Sequence, residues 1–167
     1  AEVGQASSAP FAYAINGDAA TFSPRSDLLT VWRGQELIVY ATARQFGLVS
    51  WRHSGVTRLS ELKILQPNRL IVGAGAWHPN GRTFAFSTET GIWFWDALTL
   101  ESEPDLFMVA GEHPLQVRHF SPGGNYLSVE SNERRYHVDI HSLNEYPDGE
   151  FSLDDRWLAA YDTQAQD

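Results

Sequence analysis

Four copies of one short pattern run through this chain and constrain its fold more than any other feature. The best-preserved copy reads WHPNGRTFAFSTETGIWFWDAL from Trp77 to Leu98. In it, a turn at 78–81 is followed by an apolar run, a second turn and another apolar run that ends at Asp96. Pro and Asn-Gly punctuate turns, whereas β-branched and aromatic residues fill strands. The copy therefore predicts a strand, a tight turn and a second strand.

The other copies begin at Phe22, Phe120 and Phe151, and each keeps an aromatic residue, a turn and two apolar residues at alternate positions. These apolar pairs are Leu29 with Val31, Phe84 with Phe86, Leu127 with Val129, and Leu158 with Ala160. Apolar residues at every second position indicate a strand with one buried face. Self-similarity at a period of about 20–50 residues is typical of propellers and solenoids.

The copies resemble the tryptophan–aspartate (WD) repeat of β-propellers, through Phe-Ser-Pro-x-x, the apolar pair and Gly-x-x-x-Trp-Asp at Gly91 to Asp96. Only the second copy has the Trp-Asp pair, and similar Ser-Pro turns occur in TolB-like propellers. The resemblance implies an all-β fold of antiparallel propeller blades, about three followed by a partial fourth. It covers 11–167, after a disordered segment at 1–10. An antiparallel sandwich of the same strands is the alternative fold.

Several segments outside the core pattern carry their own predictions. Phe11 to Ile15 and Gly47 to Trp51 are predicted strands, and Thr57 to Leu65 a short helix or a decorating strand. The last two lie in an insertion at 43–70, interpreted as a surface insertion or a binding loop. The third blade should have a reduced outer strand. Trp157 to Tyr161 should present an unpaired edge, completed by a continuation of the propeller, a second copy or a partner.

Composition excludes several classes of function. The chain has 12 basic and 21 acidic residues and a net charge of −9, which argues against a nucleic-acid partner. It contains no Cys, so disulfides and thiolate metal sites are excluded. No apolar run is long enough to predict a membrane span. Gly73 to Ala76 lacks the Lys and the helix of a phosphate loop, and no cofactor is predicted.

Three groups of residues have a structural and a chemical interpretation. His137, Asp139 and His141 alternate along one strand, but their wide spacing favours blade packing over a metal site, and Asp139 should close its strand. Asp154-Asp155 is interpreted as a turn rather than a catalytic carboxylate pair. The tryptophans of the second copy are predicted to pack between blades.

The resemblance implies a non-catalytic scaffold for protein–protein contacts, and no enzymatic activity is predicted. The alternatives are the propeller portion of a larger hydrolase and a cell-envelope carbohydrate-binding module. Arg33, Glu89 and Arg134 sit at or beside equivalent hairpin turns in three copies. Trp32 lies beside the first of these turns and is interpreted as freer than the other tryptophans. These four residues are the predicted contacts with a protein partner.

Overall fold

The protein is described here by a computed structural model, which covers residues 17–25, 27–41, 60–65, 71–97, 99, 102–132 and 134–161. Within these ranges all regular structure is β, in fourteen strands. They are β1 (Ala19–Phe22), β2 (Leu28–Arg33), β3 (Glu36–Ala41), β4 (Ser60–Leu65), β5 (Ile71–Trp77), β6 (Thr83–Thr88), β7 (Gly91–Asp96), β8 (Asp105–Val109), β9 (Gln116–Phe120), β10 (Tyr126–Ser131), β11 (Arg134–Asp139), β12 (Glu145–Pro147), β13 (Gly149–Phe151) and β14 (Leu158–Ala160).

The strands form consecutive antiparallel sheets, one for each copy of the repeat. β1–β4, β5–β8 and β9–β12 are four-stranded and follow chain order, and β13 pairs with β14. The first strands of neighbouring sheets contact each other, β1 with β5 and β5 with β9. This is the arrangement of propeller blades, whose inner strands face a common axis. The predicted all-β fold of propeller blades is confirmed, rather than the sandwich.

Alternate residues of one strand pack against different neighbouring blades. Phe84 and Phe86 of β6 belong to a buried cluster with Leu37 and Val39 of the first blade. Ala85, between them, packs in a second cluster with Leu127 of the third blade. Because both faces of β6 are covered in this way, the strand is buried from Phe84 to Thr88, including the polar residues Ser87 and Thr88. Successive side chains of a strand point to opposite faces, so neighbouring residues pack against different blades.

In the insertion after the first blade, the structure confirms the strand alternative for Thr57 to Leu65 over the residues that it describes. Residues 60–65 form β4, which pairs with β3 and completes the first sheet, so the helical alternative is wrong there. A strand rather than a helix forms because the edge of β3 offers unpaired backbone groups that β4 satisfies. The predicted strands Phe11 to Ile15 and Gly47 to Trp51, and the segment 1–10, lie outside the described residues.

The third blade agrees with its prediction. The outer strand of the third blade, β12, has only 3 residues and pairs with β11, which is the reduced strand expected there. Among the described strands, β14 pairs with β13 alone, through Gly149 with Ala160 and Phe151 with Leu158. The open edge predicted for Trp157 to Tyr161 stays a prediction, because the segments that could cover it lie outside the described residues.

Two seams between blades are bridged by the turns that join their first and second strands. At the seam between blades two and three, the His78 Nε2 donates to the Gly124 carbonyl oxygen at 3.0 Å. Gly124 has a φ of +85°, and a methyl group at this position would lie 2.4 Å from His78 Nε2. The positive φ and the close approach of His78 therefore both favour glycine in the later turn.

At the seam between the third blade and the β13–β14 hairpin, a carboxylate takes the repeat position that glycine has at the previous seam. Asp155 occupies the position of Gly124 in the repeat and also has a positive φ, of 57°. Its side chain is only 8% exposed and reaches into the turn of the third blade. It accepts hydrogen bonds there from Ser121 Oγ at 2.7 Å, Gly123 N at 2.9 Å, Asn125 N at 2.9 Å and Asn125 Nδ2 at 3.0 Å. The interpretation of Asp154-Asp155 as a turn is confirmed. In addition, Asp155 links this turn to the third blade.

We expect the substitution Gly91→Ala to destabilise the second blade by about 3 kcal/mol, because it combines backbone strain with a clash. Gly91 has a φ of +149°, and an added methyl group would lie 2.0 Å from the Met108 carbonyl oxygen on β8. Gly111→Ala is the matched control, since nothing lies within 4 Å of its added methyl group. Urea unfolding of both variants measures the difference, and equal losses would contradict the prediction.

Candidate protein-interaction surface

The turns between the second and third strands of the first three blades all lie at one end of their sheets. Antiparallel order places the β2–β3, β6–β7 and β10–β11 turns at this end, together with the β8–β9 connection. The turns bridged by His78 and Asp155 lie at the opposite end. We call the end that carries the β2–β3, β6–β7 and β10–β11 turns the hairpin end. Connecting segments on a rigid β scaffold are where binding residues concentrate.

Three of the four predicted contact residues are exposed at the hairpin end. Arg33 and Glu36 flank the first turn and form an ion pair at 2.8 Å. Glu89 is exposed within the second turn. Arg134 begins β11, pairs with Glu145 at 3.3 Å and places its guanidinium carbon 5.1 Å from the Tyr136 ring centroid. The structure thus presents these charged side chains on successive blades of one surface.

Trp32 is not part of this surface, and the expectation that it lies free beside the hairpin is wrong. Its side chain is 4% exposed. The ring lies between the first and second blades, with its centroid 5.7 Å from that of Phe84 and 6.0 Å from that of Phe86. Burial of its large apolar area outweighs any exposure near the turn, because an indole gains more from packing between sheets.

An ionic cluster that was not predicted crosses the third blade near the hairpin end. Glu130 Oε2 accepts from Arg118 Nε at 3.0 Å and from Arg135 Nε at 3.0 Å. The hydrogen bond from Arg118 is the main reason that the pKa of Glu130 lies below its usual value; burial opposes the shift, and Arg135 adds to it. The carboxylate is therefore held ionised between two arginines. The cluster joins β9, β10 and β11.

A shallow depression opens beside this cluster. It has a volume of about 260 Å³ and is lined by His113, Pro114, Gln116, Glu130 and Asn132. Asn132 lies in the β10–β11 turn, two residues before Arg134, and has a φ of 48°. Gln116 and Asn132 offer amide donors and acceptors, which can bind the backbone of a polypeptide. The depression and the predicted contact Arg134 thus belong to one region of the third blade.

The alternating His137, Asp139 and His141 do not converge on a common point. His137 is buried, whereas Asp139 Oδ1 accepts from the backbone N–H groups of His141 at 2.8 Å and Ser142 at 3.0 Å. The expectation that Asp139 closes its strand is confirmed. No group of three His, Cys, Asp or Glu side chains within the described ranges is placed to hold a metal ion.

The tryptophans of the second copy pack as predicted. Trp77 and Trp95 are buried in the cluster between the first two blades, and Trp93 packs against it. The residues that sequence reasoning missed are Arg118, Glu130 and Arg135. Arg118 lies at an irregularity in the β9–β10 register, between His119 and Val117. No local pattern signals that bulge, so the pairing of these charges could not be read from their spacing.

Comparison with known proteins agrees with the fold. No protein-family model matches the sequence. No curated protein matches it either. Among solved structures, a protein described as TolB from Agrobacterium tumefaciens superposes with a TM-score of 0.56 at 16% sequence identity. The match covers 84% of this chain and 51% of that one, so the chain spans about half the length of that protein.

The similarity is to the propeller fold, and at this identity it shows the fold alone. It supports the propeller interpretation of the repeats. The matching protein is of the TolB-like kind, which the sequence analysis names beside the WD repeat. The described residues contain no helix that is long and apolar enough to cross a membrane.

Proposed function

We propose that this chain is a non-catalytic β-propeller scaffold, of the WD-repeat-like or TolB-like kind, that binds a protein partner through its hairpin end. The observation that carries the proposal is the coincidence of two features on the third blade. The predicted contact Arg134 is exposed there, and it lies two residues from Asn132 in the wall of the depression. Arginine is enriched at the energetic centres of protein interfaces.

The charges of this region suit contact better than catalysis. General acid–base catalysis at neutral pH needs a group whose pKa is near 7. Hydrogen bonds from Arg118 and Arg135 lower the pKa of Glu130, moving it further from that range. The guanidinium groups of Arg118 and Arg135 remain partly exposed and can bind acidic or carbonyl groups of a partner. We therefore assign Arg33, Glu89 and Arg134 to contact, with Gln116 and Asn132 added from the depression.

We expect the double variant Gln116→Ala/Arg134→Ala to weaken binding of the partner by at least tenfold, the effect of losing about 1.4 kcal/mol. Quantitative affinity capture with the purified 167-residue chain identifies candidates, and calorimetry with each purified candidate measures its Kd. Arg156→Ala is the matched control, since this exposed arginine lies at the opposite end of the sheets. Equal affinities of the two variants for every partner would overturn the assignment to the hairpin end.

A further inference from the structure

The contact between the third blade and the β13–β14 hairpin contains a buried histidine. His137 of β11 is 2% exposed, and its Nε2 donates to the carbonyl oxygen of Gly149, the first residue of β13, at 3.0 Å. The Phe151 ring lies edge-on to the imidazole, with centroids 4.9 Å apart. The histidine is therefore covered by the hairpin that it binds. Undocking this hairpin would return the imidazole to water.

Apolar and polar contacts flank the histidine along the same seam. The Phe151 ring stacks on Tyr126 with centroids 4.3 Å apart and an interplanar angle of 13°. Asp155 bonds the turn of the third blade at one end. Residues 149–160 are thus held by one stacked aromatic pair, one carboxylate and one imidazole. Of the two ionisable anchors, the imidazole belongs to the residue type whose ordinary pKa lies closer to neutral pH.

The groups around His137 come from every neighbouring element. Asp148 precedes β13 and places its Oδ1 3.9 Å from His137 Nε2. The His119 ring of β9 has its centroid 6.4 Å away. Strand pairing sets Ser128 of β10 and Tyr146 of β12 opposite the histidine. The remaining charged residues nearby are Glu150 on β13 and, on the histidine's own strand, Arg135 and Asp139.

We propose that His137 makes docking of the β13–β14 hairpin onto the third blade dependent on protonation. The hairpin docks over the neutral imidazole, and a proton on His137 loosens it. A neutral ring with its hydrogen on Nε2 satisfies the Gly149 carbonyl. Protonation adds a second N–H and a full charge in a site closed to water, which burial disfavours. The inference is independent of any partner at the hairpin end.

The electrostatic balance at the site favours the neutral ring. Burial has the largest effect and lowers the pKa of His137. The Gly149 hydrogen bond, Asp148 and Glu150 raise the pKa, whereas His119 lowers it further. The pKa therefore stays below its ordinary value of 6.5. A depressed pKa means that docking is fully favoured above about pH 6.5 and is lost as the pH falls below it. The largest effect arises if the docked ring stays neutral at pH 5.5 while the undocked ring becomes protonated. In that case the equilibrium constant for docking falls by about tenfold between pH 7.5 and pH 5.5.

Hydrogen exchange on the full 167-residue chain tests the proposal. The reporters are the Ala159 amide, which faces β13, and the Tyr161 amide, which donates to the Asp148 carbonyl. Their protection factors, corrected for intrinsic exchange, should fall by a few-fold and at most about tenfold from pH 7.5 to pH 5.5, while those of β6 should stay constant. His137→Gln keeps an N–H donor without a titrating group and should abolish the fall. His141→Gln, at an exposed position on the same segment, should leave it unchanged.

Three results would overturn the proposal. Protection that is constant or rises with acidification would show that Asp148 and Glu150 dominate the site. A fall that persists in His137→Gln, or that disappears in His119→Gln instead, would assign the titration to another group. An equal fall in β6 would show global destabilisation rather than undocking. If His137→Gln lowers stability at all pH values, the change of its protection factors with pH still decides the outcome.

Discussion

Replacing Asp155 by alanine is expected to destabilise the contact between the third blade and the β13–β14 hairpin by about 3 kcal/mol. The carboxylate accepts four hydrogen bonds from one turn of the neighbouring blade. Its loss leaves donors of Ser121, Gly123 and Asn125 without their acceptor in a partly buried site. Alanine also tolerates the positive φ of this position poorly, whereas aspartate and asparagine adopt it more readily.

Asp154→Ala supplies the matched control for this prediction. Asp154 is the adjacent carboxylate, is exposed and bonds within its own turn, to Ser152 Oγ at 2.7 Å. Its loss should cost no more than about 0.5 kcal/mol. Urea unfolding and local hydrogen exchange at 149–160 measure both variants. If the two substitutions cost the same, Asp155 does not hold the blades together.

The pH dependence of the stability of Asp155→Asn is a second test of the role of this carboxylate. Burial raises the pKa of Asp155, but hydrogen bonds from Asn125, Ser121 and Gly123 outweigh it, so the pKa lies below the usual carboxyl value. A depressed carboxyl pKa contributes stability above about pH 4, and this contribution is lost as the pH falls through the folded-state pKa. The stability difference between the wild type and Asp155→Asn should therefore shrink in acid below about pH 4.

Trp95→Ala is expected to cost about 3–5 kcal/mol, because it removes a large side chain from the core between the first two blades. Trp95 is 1% exposed, lies in the cluster with Phe84 and Phe86, and is among the largest fully buried side chains of the described residues. Such a cavity cannot collapse easily, because both faces of the seam are sheets with fixed strand spacing.

Trp95→Phe should cost much less, at most about 1.5 kcal/mol. The indole Nε1–H of Trp95 is buried and has no acceptor among the residues described, so phenylalanine removes a donor that gains nothing there. Trp157→Ala is the exposed control at 77% exposure, with an expected change within about 0.5 kcal/mol. Urea unfolding gives all three values. A Trp95→Phe variant as unstable as Trp95→Ala would show that the indole nitrogen has a bonding role.

The sequence predicts the strands of this chain well where the signal is local. Phe84 and Phe86 alternate with a small residue, and turn-forming residues bracket them, so β6 and β7 could be predicted without knowledge of their neighbours. The strand at 60–65 was ambiguous because its leucines are also compatible with a helix, and only the edge of β3 decides between the two. Pairing across a long connection is not encoded by local spacing.

The candidate surface was predictable only in part. Arg33, Glu89 and Arg134 could be placed because repeat positions map onto equivalent turns. Trp32 could not, since whether a strand-end indole points into a seam depends on the facing blade, which supplies Phe84 and Phe86. The Arg118–Glu130 pair depends on a bulge in β9. The role of Asp155 had one sequence signal, an acidic residue where the preceding copy has Gly124.

The turn contacts between blades define which residues must be exchanged together if this protein is redesigned. Gly124 is small because His78 of the preceding blade occupies the adjacent space. Asp155 fits because the preceding turn has Gly123, whose added methyl group would lie 2.6 Å from the Asp155 carboxyl carbon. Transplanting the third blade alone would separate each pair. A functional chimera must therefore be cut within sheets, so that both sides of a seam come from the same parent.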